Sequence, residues 1–146
     1  MSETITEAGP ETRVNPIVED DQLDPAITAL TGGNYAVVYR TWDTVLSRYV
    51  IDIALHEPDG TQIASGLNGF TDYTLAEPDV AATEDGGFLV AFVAAEGEPG
   101  LYVAKYDAAG VLLGDDLAVE RDAVNAQDNV DQPSIIAISG GGFAIP

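Results

Sequence analysis

Three stretches of this chain align with one another without gaps, and a chain that repeats itself must fold as an array of like units. They are Pro25–Tyr35 (Pro-Ala-Ile-Thr-Ala-Leu-Thr-Gly-Gly-Asn-Tyr), Pro78–Phe88 (Pro-Asp-Val-Ala-Ala-Thr-Glu-Asp-Gly-Gly-Phe) and Pro133–Phe143 (Pro-Ser-Ile-Ile-Ala-Ile-Ser-Gly-Gly-Gly-Phe). The proline, an alanine (Ala29, Ala82, Ala137), a glycine (Gly33, Gly86, Gly141) and an aromatic (Tyr35, Phe88, Phe143) recur in every copy. The position two after the proline is always β-branched: Ile27, Val80, Ile135. At ordinary residue frequencies, the alanine, glycine and aromatic columns would coincide on the order of once in a million alignments. A second match, offset by 50 residues, aligns Ile51–His56 with Leu101–Tyr106, each followed by a turn that ends at Gly60 or Gly110.

Each copy reads as four short strands. In the first they are expected near 26–30, 35–42, 49–55 and 61–67; in the second near 79–83, 88–94, 101–106 and 111–119. The Gly-Gly pairs and Asp59-Gly60 supply the positive φ of tight hairpins. The proline is expected to open the first strand, where its missing N–H costs least. The second strand, Tyr-Ala-Val-Val-Tyr or Phe-Leu-Val-Ala-Phe, is apolar on both faces, so its sheet should be sandwiched between neighbours. Four strands in roughly 50 residues, packed on both faces, is the pattern of a β-propeller blade.

The expected fold is therefore all-β: a partial propeller of about two and a half blades, an open arc of a longer array. Residues 1–24 form an N-terminal segment in which 11–15 end a preceding blade, residues 25–77 the first repeat, 78–132 the second, and 133–146 a truncated third. An open arc exposes two apolar faces and is expected to be poorly stable alone.

Composition narrows the function classes. The apolar fraction, 46%, is enough for a packed core. The chain carries 25 acidic and 5 basic residues, net −20. Such a surface repels nucleic acid and anionic lipid and is eased by salt, which fits a salt-rich habitat or a cation-rich extracellular setting. There is no cysteine, which removes disulfides and thiol chemistry. The first 15 residues lack the basic start and apolar stretch of a cleaved signal peptide. No apolar run has the length of a membrane-spanning helix.

The repeat resembles those of large secreted bacterial proteins of the adhesin-like and RTX type, exported by type I secretion. The residues that carry the likeness are Gln132 before Pro133, Gly86-Gly87-Phe88-Leu89-Val90, Tyr106-Asp107-Ala108-Ala109-Gly110 and Glu11-Thr12-Arg13-Val14-Asn15. The tryptophan that closes the second strand in that pattern is Tyr39 or Phe92 here, and Gln22 and Gln132 stand at different distances from their prolines. The resemblance implies an extracellular surface protein, exported without a cleaved N-terminal signal. Its partners would be carbohydrate or a cell-surface protein, together with further repeats of the same parent chain, and neither nucleic acid nor membrane insertion is expected. The calcium-binding nonapeptides of RTX tails are absent, so no cofactor or metal is carried over.

The candidate site residues are few, and none is assigned a catalytic, cofactor or metal role. His56, the only histidine, falls on a strand without a specified nucleophile or carboxylate, so packing is its expected role. Trp42, at a strand end, is the better sugar-stacking candidate; Tyr35, Tyr39, Phe88 and Phe92 occupy core-like columns. The acidic groups Glu19-Asp20-Asp21-Asp24, Asp115-Asp116 and Asp128/Asp131 lack the spacing of a calcium loop and read as solvated surface. Pro58-Asp59-Gly60-Thr61 is a partial likeness to a sialidase Asp-box that a turn explains fully. A non-catalytic binding or structural module is the expected function. A fragment of a propeller glycoside hydrolase or lectin, or an architectural spacer, stands beside it.

Overall fold

A computed structural model describes residues 11, 13–15, 21–66, 75–94, 100–114, 117–120 and 133–145. They form an all-β structure of three antiparallel sheets, none of which closes on itself. The first sheet is β1 (Gln22–Ala29), β2 (Tyr35–Asp43), β3 (Arg48–His56) and β4 (Gln62–Ala64), paired in that order. The second is β5 (Leu75–Ala82), β6 (Phe88–Ala94), β7 (Gly100–Tyr106) and β8 (Leu117–Glu120), in the same order. The third is the hairpin of β9 (Ile136–Ile138) and β10 (Gly142–Ala144).

The repeated columns are explained by the register. Ala29, Ala82 and Ala137 pair directly with Tyr35, Phe88 and Phe143. A small residue opposite each aromatic leaves room for the ring on the same face of the sheet. The repeated glycines Gly33, Gly86 and Gly141 have φ of 93°, 91° and 89°, a conformation that a β-carbon disfavours. In the first two sheets each closes the same turn: Gly33 N–H donates to the Leu30 carbonyl at 3.1 Å, and Gly86 N–H to the Thr83 carbonyl at 3.1 Å. The β3–β4 turn and its counterpart after β7 repeat the motif, with Gly60 N–H on the Glu57 carbonyl and Gly110 N–H on the Asp107 carbonyl.

Several strand boundaries differ from expectation, and β4 covers only Gln62–Ala64 of the expected 61–67. β1 and β5 start three residues before their prolines, and the prolines sit in β-bulges. Asp24 and Pro25 together oppose the single residue Tyr39, and Glu77 and Pro78 oppose Phe92. Asp24 and Glu77 both adopt φ of 52°. A bulge leaves one residue without a ladder partner, and proline, lacking an N–H, suits that slot as well as it suits a strand start. The outer strand of the second repeat is also interrupted: Leu112 makes one bridge to Tyr106, and β8 then pairs with Leu101–Val103.

The sheets stack face to back. Each sheet has a front, which carries Ala36, Val38, Ile51, Ile53 and Leu55 in the first, and a back, which carries Phe88, Val90, Phe92, Tyr102 and Tyr106 in the second. These two surfaces form the main core. The front of the second sheet (Leu89, Ala91, Val103) meets the back of the third (Ile135, Ala137, Phe143) in a second cluster. β6 is buried on both faces along its whole length, as its unbroken apolar run requires. Polar ties cross both junctions. Ala82 N–H donates to Thr28 Oγ1 at 3.3 Å, Ile135 N–H to Asp79 Oδ2 at 2.8 Å, and Gly140 N–H to Glu84 Oε2 at 3.2 Å.

Candidate functional site

The stacking brings the three repeat prolines to one place. Asp24-Pro25-Ala26, Glu77-Pro78-Asp79 and Pro133-Ser134 line a cavity of about 270 Å³. Equivalent positions of successive repeats thus form one wall, and the two bulges aim Asp24 and Glu77 off the regular ladder. Asp24 is held in an ion pair, its Oδ2 3.0 Å from Arg40 Nη2. The Arg40 guanidinium lies over the Tyr49 ring at 4.9 Å, and Tyr49 meets Trp42 edge to face at 5.1 Å. Arg40, Trp42 and Tyr49 lie on the front of the first sheet, because Trp42 pairs with Tyr49 and is two residues from Arg40. A continuous row of acid, cation and aromatic groups therefore runs from the cavity to the end of the β2–β3 hairpin. Trp42 is 38% exposed, so part of its ring surface is open to solvent.

His56 is elsewhere and engaged. It is fully buried, stacked on Tyr35 with ring centroids 5.1 Å apart. Its Nδ1 lies 3.2 Å from the Gly60 carbonyl oxygen and its Nε2 3.3 Å from that of Val14. Both neighbours are acceptors, and the tautomer decides which ring nitrogen donates to which carbonyl. Among the described residues its hydrogen-bond neighbours are backbone carbonyls, which tie β3 to its own turn and to the segment around Val14.

Four residues along β3 on the same back face, the Tyr39 hydroxyl donates to Asp52 Oδ2 at 2.7 Å in a buried pair. Burial, then the hydrogen bond to the carboxylate and its charge, push the Tyr39 phenol well above its ordinary pKa. In the second sheet the corresponding pairs are aromatic. Phe88 stacks on Tyr106 at 5.1 Å and Phe92 on Tyr102 at 5.7 Å. Tyr35, Tyr39, Phe88 and Phe92 are thus cross-strand packing residues.

Asp59 caps its own turn, its Oδ1 accepting from Thr61 N–H at 2.8 Å, and these contacts lower its pKa. Of the acidic groups, Asp21 is exposed, while Glu19, Asp20, Asp115, Asp116, Asp128 and Asp131 lie outside the described residues. Among the described residues no group of three or more histidine and carboxylate side chains is arranged to hold a metal ion. No helix among them is long and apolar enough to cross a membrane. Sequence reasoning placed Asp24 among solvated acids and did not single out Arg40, Tyr49, Glu77 or Asp79. The signal was an acidic residue directly before each of the first two repeat prolines.

Comparison with protein-family models, curated proteins and solved structures gave no match.

Proposed function

We propose that the chain is a non-catalytic binding module, a segment of a β-propeller-type array of about two and a half blades in a secreted bacterial surface protein. Its neighbours in the parent protein would be further repeats of the same kind, and its target carbohydrate or a cell-surface protein. The observation that carries the binding reading is the cavity at the proline bulges, built by repeat-equivalent residues of three successive repeats. Ligands of stacked β arrays sit where the inner strands converge, and recognition needs a few polar groups beside an apolar surface. Asp24, Glu77, Asp79 and Ser134 supply acceptors, Arg40 donors, and Trp42, backed by Tyr49, a ring surface suited to the apolar face of a sugar.

The extracellular assignment rests on the likeness of the repeat to secreted proteins, and the net charge of −20 is in keeping with it. A glycan array probed with the 146-residue chain, with and without Ca²⁺, tests the binding reading. Binding that Trp42→Ala and Asp24→Asn each weaken is the expected result. Absence of binding under both conditions would leave an architectural spacer in its place.

A further inference from the structure

The wall of the cavity at the proline bulges is one-sided in charge. It carries three carboxylates, Asp24, Glu77 and Asp79, with Ser134 beside them, and no basic residue among its described residues. Asp24 and Glu77 are repeat equivalents, each half-buried directly before its proline with φ of 52° in the bulge. Asp79 is fixed against the third sheet, its Oδ2 accepting from Ile135 N–H at 2.8 Å.

The cations of the chain do not offset this wall. Arg40 stands beside it and is engaged twice: its Nη2 is 3.0 Å from Asp24 Oδ2, and its guanidinium lies over the Tyr49 ring. It balances one acid of the three. Lys105 is paired with Asp85 at 2.6 Å. With 25 acidic residues against 5 basic ones, the long-range field is negative as well.

This charge separates three kinds of saccharide. Ionised carboxylates only accept hydrogen bonds, so a ligand must bring donors. A uronic acid brings a like charge and is repelled. A neutral sugar brings hydroxyl donors. A protonated amine brings three donors and the opposite charge, and a charge-assisted hydrogen bond is roughly twice as strong as a neutral one. We infer that the cavity takes the protonated amine of an amino sugar, between Glu77 and Asp79, and refuses acidic saccharides. The saccharide would continue along the row of Arg40, Tyr49 and Trp42. This rests on the glycan-binding reading above and names the class of sugar it concerns.

Calorimetric titration of the 146-residue chain with β-linked hexasaccharides of glucosamine, glucose and glucuronic acid is the test, buffered so that the amines are protonated. The three probes share one linkage and differ in charge. The glucosamine oligomer should bind on the order of tenfold more tightly than the glucose oligomer, and the glucuronic acid oligomer more weakly than either. The spread should narrow as sodium chloride is raised. A chain of net −20 attracts any polycation, so two variants separate the cavity from the surface at large. Glu77→Gln should narrow the preference for glucosamine. Glu57→Gln removes the same charge from an exposed turn and should leave the preference unchanged, with circular dichroism confirming that both variants fold. The wild-type ranking stands as a test without either variant. Equal affinity for the glucosamine and glucose oligomers overturns the inference, as does tighter binding of the glucuronic acid oligomer. So does a preference that Glu57→Gln narrows as much as Glu77→Gln. Binding on the glycan array confined to sugars without a free amine also overturns it and leaves the binding reading in place. A blank array removes that reading and the inference with it.

Discussion

Truncating the β-branched residue after each repeat proline to alanine should have a cost that follows the neighbour, not the sequence. Ile135 is buried against Leu89, Ala91 and Val103, so Ile135→Ala removes packed methyl groups and leaves a cavity, for about 2–5 kcal/mol. Val80→Ala removes the equivalent of two methylenes, about 1.6 kcal/mol of transfer energy before any cavity term. Ile27→Ala, at a mostly exposed site, should stay within about 0.5 kcal/mol in the monomer. In a chain of this size, 1 kcal/mol shifts the melting midpoint by about 2–4 °C, so the Ile135 and Ile27 variants should be clearly separated. The probe matters. The single tryptophan, Trp42, reports on the first sheet alone, so urea unfolding should be followed by far-ultraviolet circular dichroism, with amide exchange on β9 and β10 detecting separate opening of the third sheet. Equal losses at Ile27 and Ile135 would refute the face-to-back stacking from which these values follow.

Tyr39→Phe should cost about 1–3 kcal/mol, because it removes the hydroxyl donor from buried Asp52 Oδ2 and leaves only the Ile53 N–H on Oδ1; a double-mutant cycle with Asp52→Asn in urea unfolding isolates the pair. The raised phenol pKa stabilises the fold fully below about pH 10 and is lost as pH climbs beyond it, so Tyr39→Phe should flatten the alkaline limb of the stability profile. Gly86→Ala, at φ of 91°, should cost about 1–2 kcal/mol, while Gly87→Ala should be worse in thermal melts because its β-carbon would collide with the Tyr106 carbonyl oxygen. The Lys105 ammonium, with the Thr83 hydroxyl and Gly87 N–H, holds Asp85 at about 2. Its contribution is present above the ordinary aspartate pKa and lost as pH falls from about 4 through about 2, so Asp85→Asn should blunt the acid limb, less so at high salt.

The repeat and its register were readable because Ala, Gly and aromatic columns answer to local backbone needs that any copy must meet: room beside a ring and a positive φ at the turn. The place of Pro25 and Pro78 was not. A residue without an N–H fits a strand start and a bulge equally, and only the pairing of Leu23 with Arg40 and of Ala26 with Val38 decides for the bulge. The cavity followed from that decision, since the bulges bring Asp24 and Glu77 to its wall. The Tyr39–Asp52 pair is 13 residues apart in sequence and depends on the β2–β3 register. Exposure at Ile27 was legible only in general terms, as a face that an open stack must leave bare.

Where the copies depart from one another, the neighbour accounts for the departure. On the back of the second sheet Phe88, Phe92, Tyr102 and Tyr106 meet the aliphatic front of the first, and aromatic stacking is the best use of that surface. On the back of the first sheet the same positions hold Tyr35, Tyr39, Asp52 and His56, and part of what they meet is backbone: the Val14 carbonyl lies against His56 Nε2. A backbone carbonyl buried against a phenylalanine would go unpaired, at a cost of about 1–3 kcal/mol, whereas an imidazole supplies a donor in the same flat shape. The histidine therefore keeps the stacking of its column and answers the polar neighbour that it meets. A lone histidine in a repeat thus fits a copy in which the column's aromatic place faces a backbone acceptor.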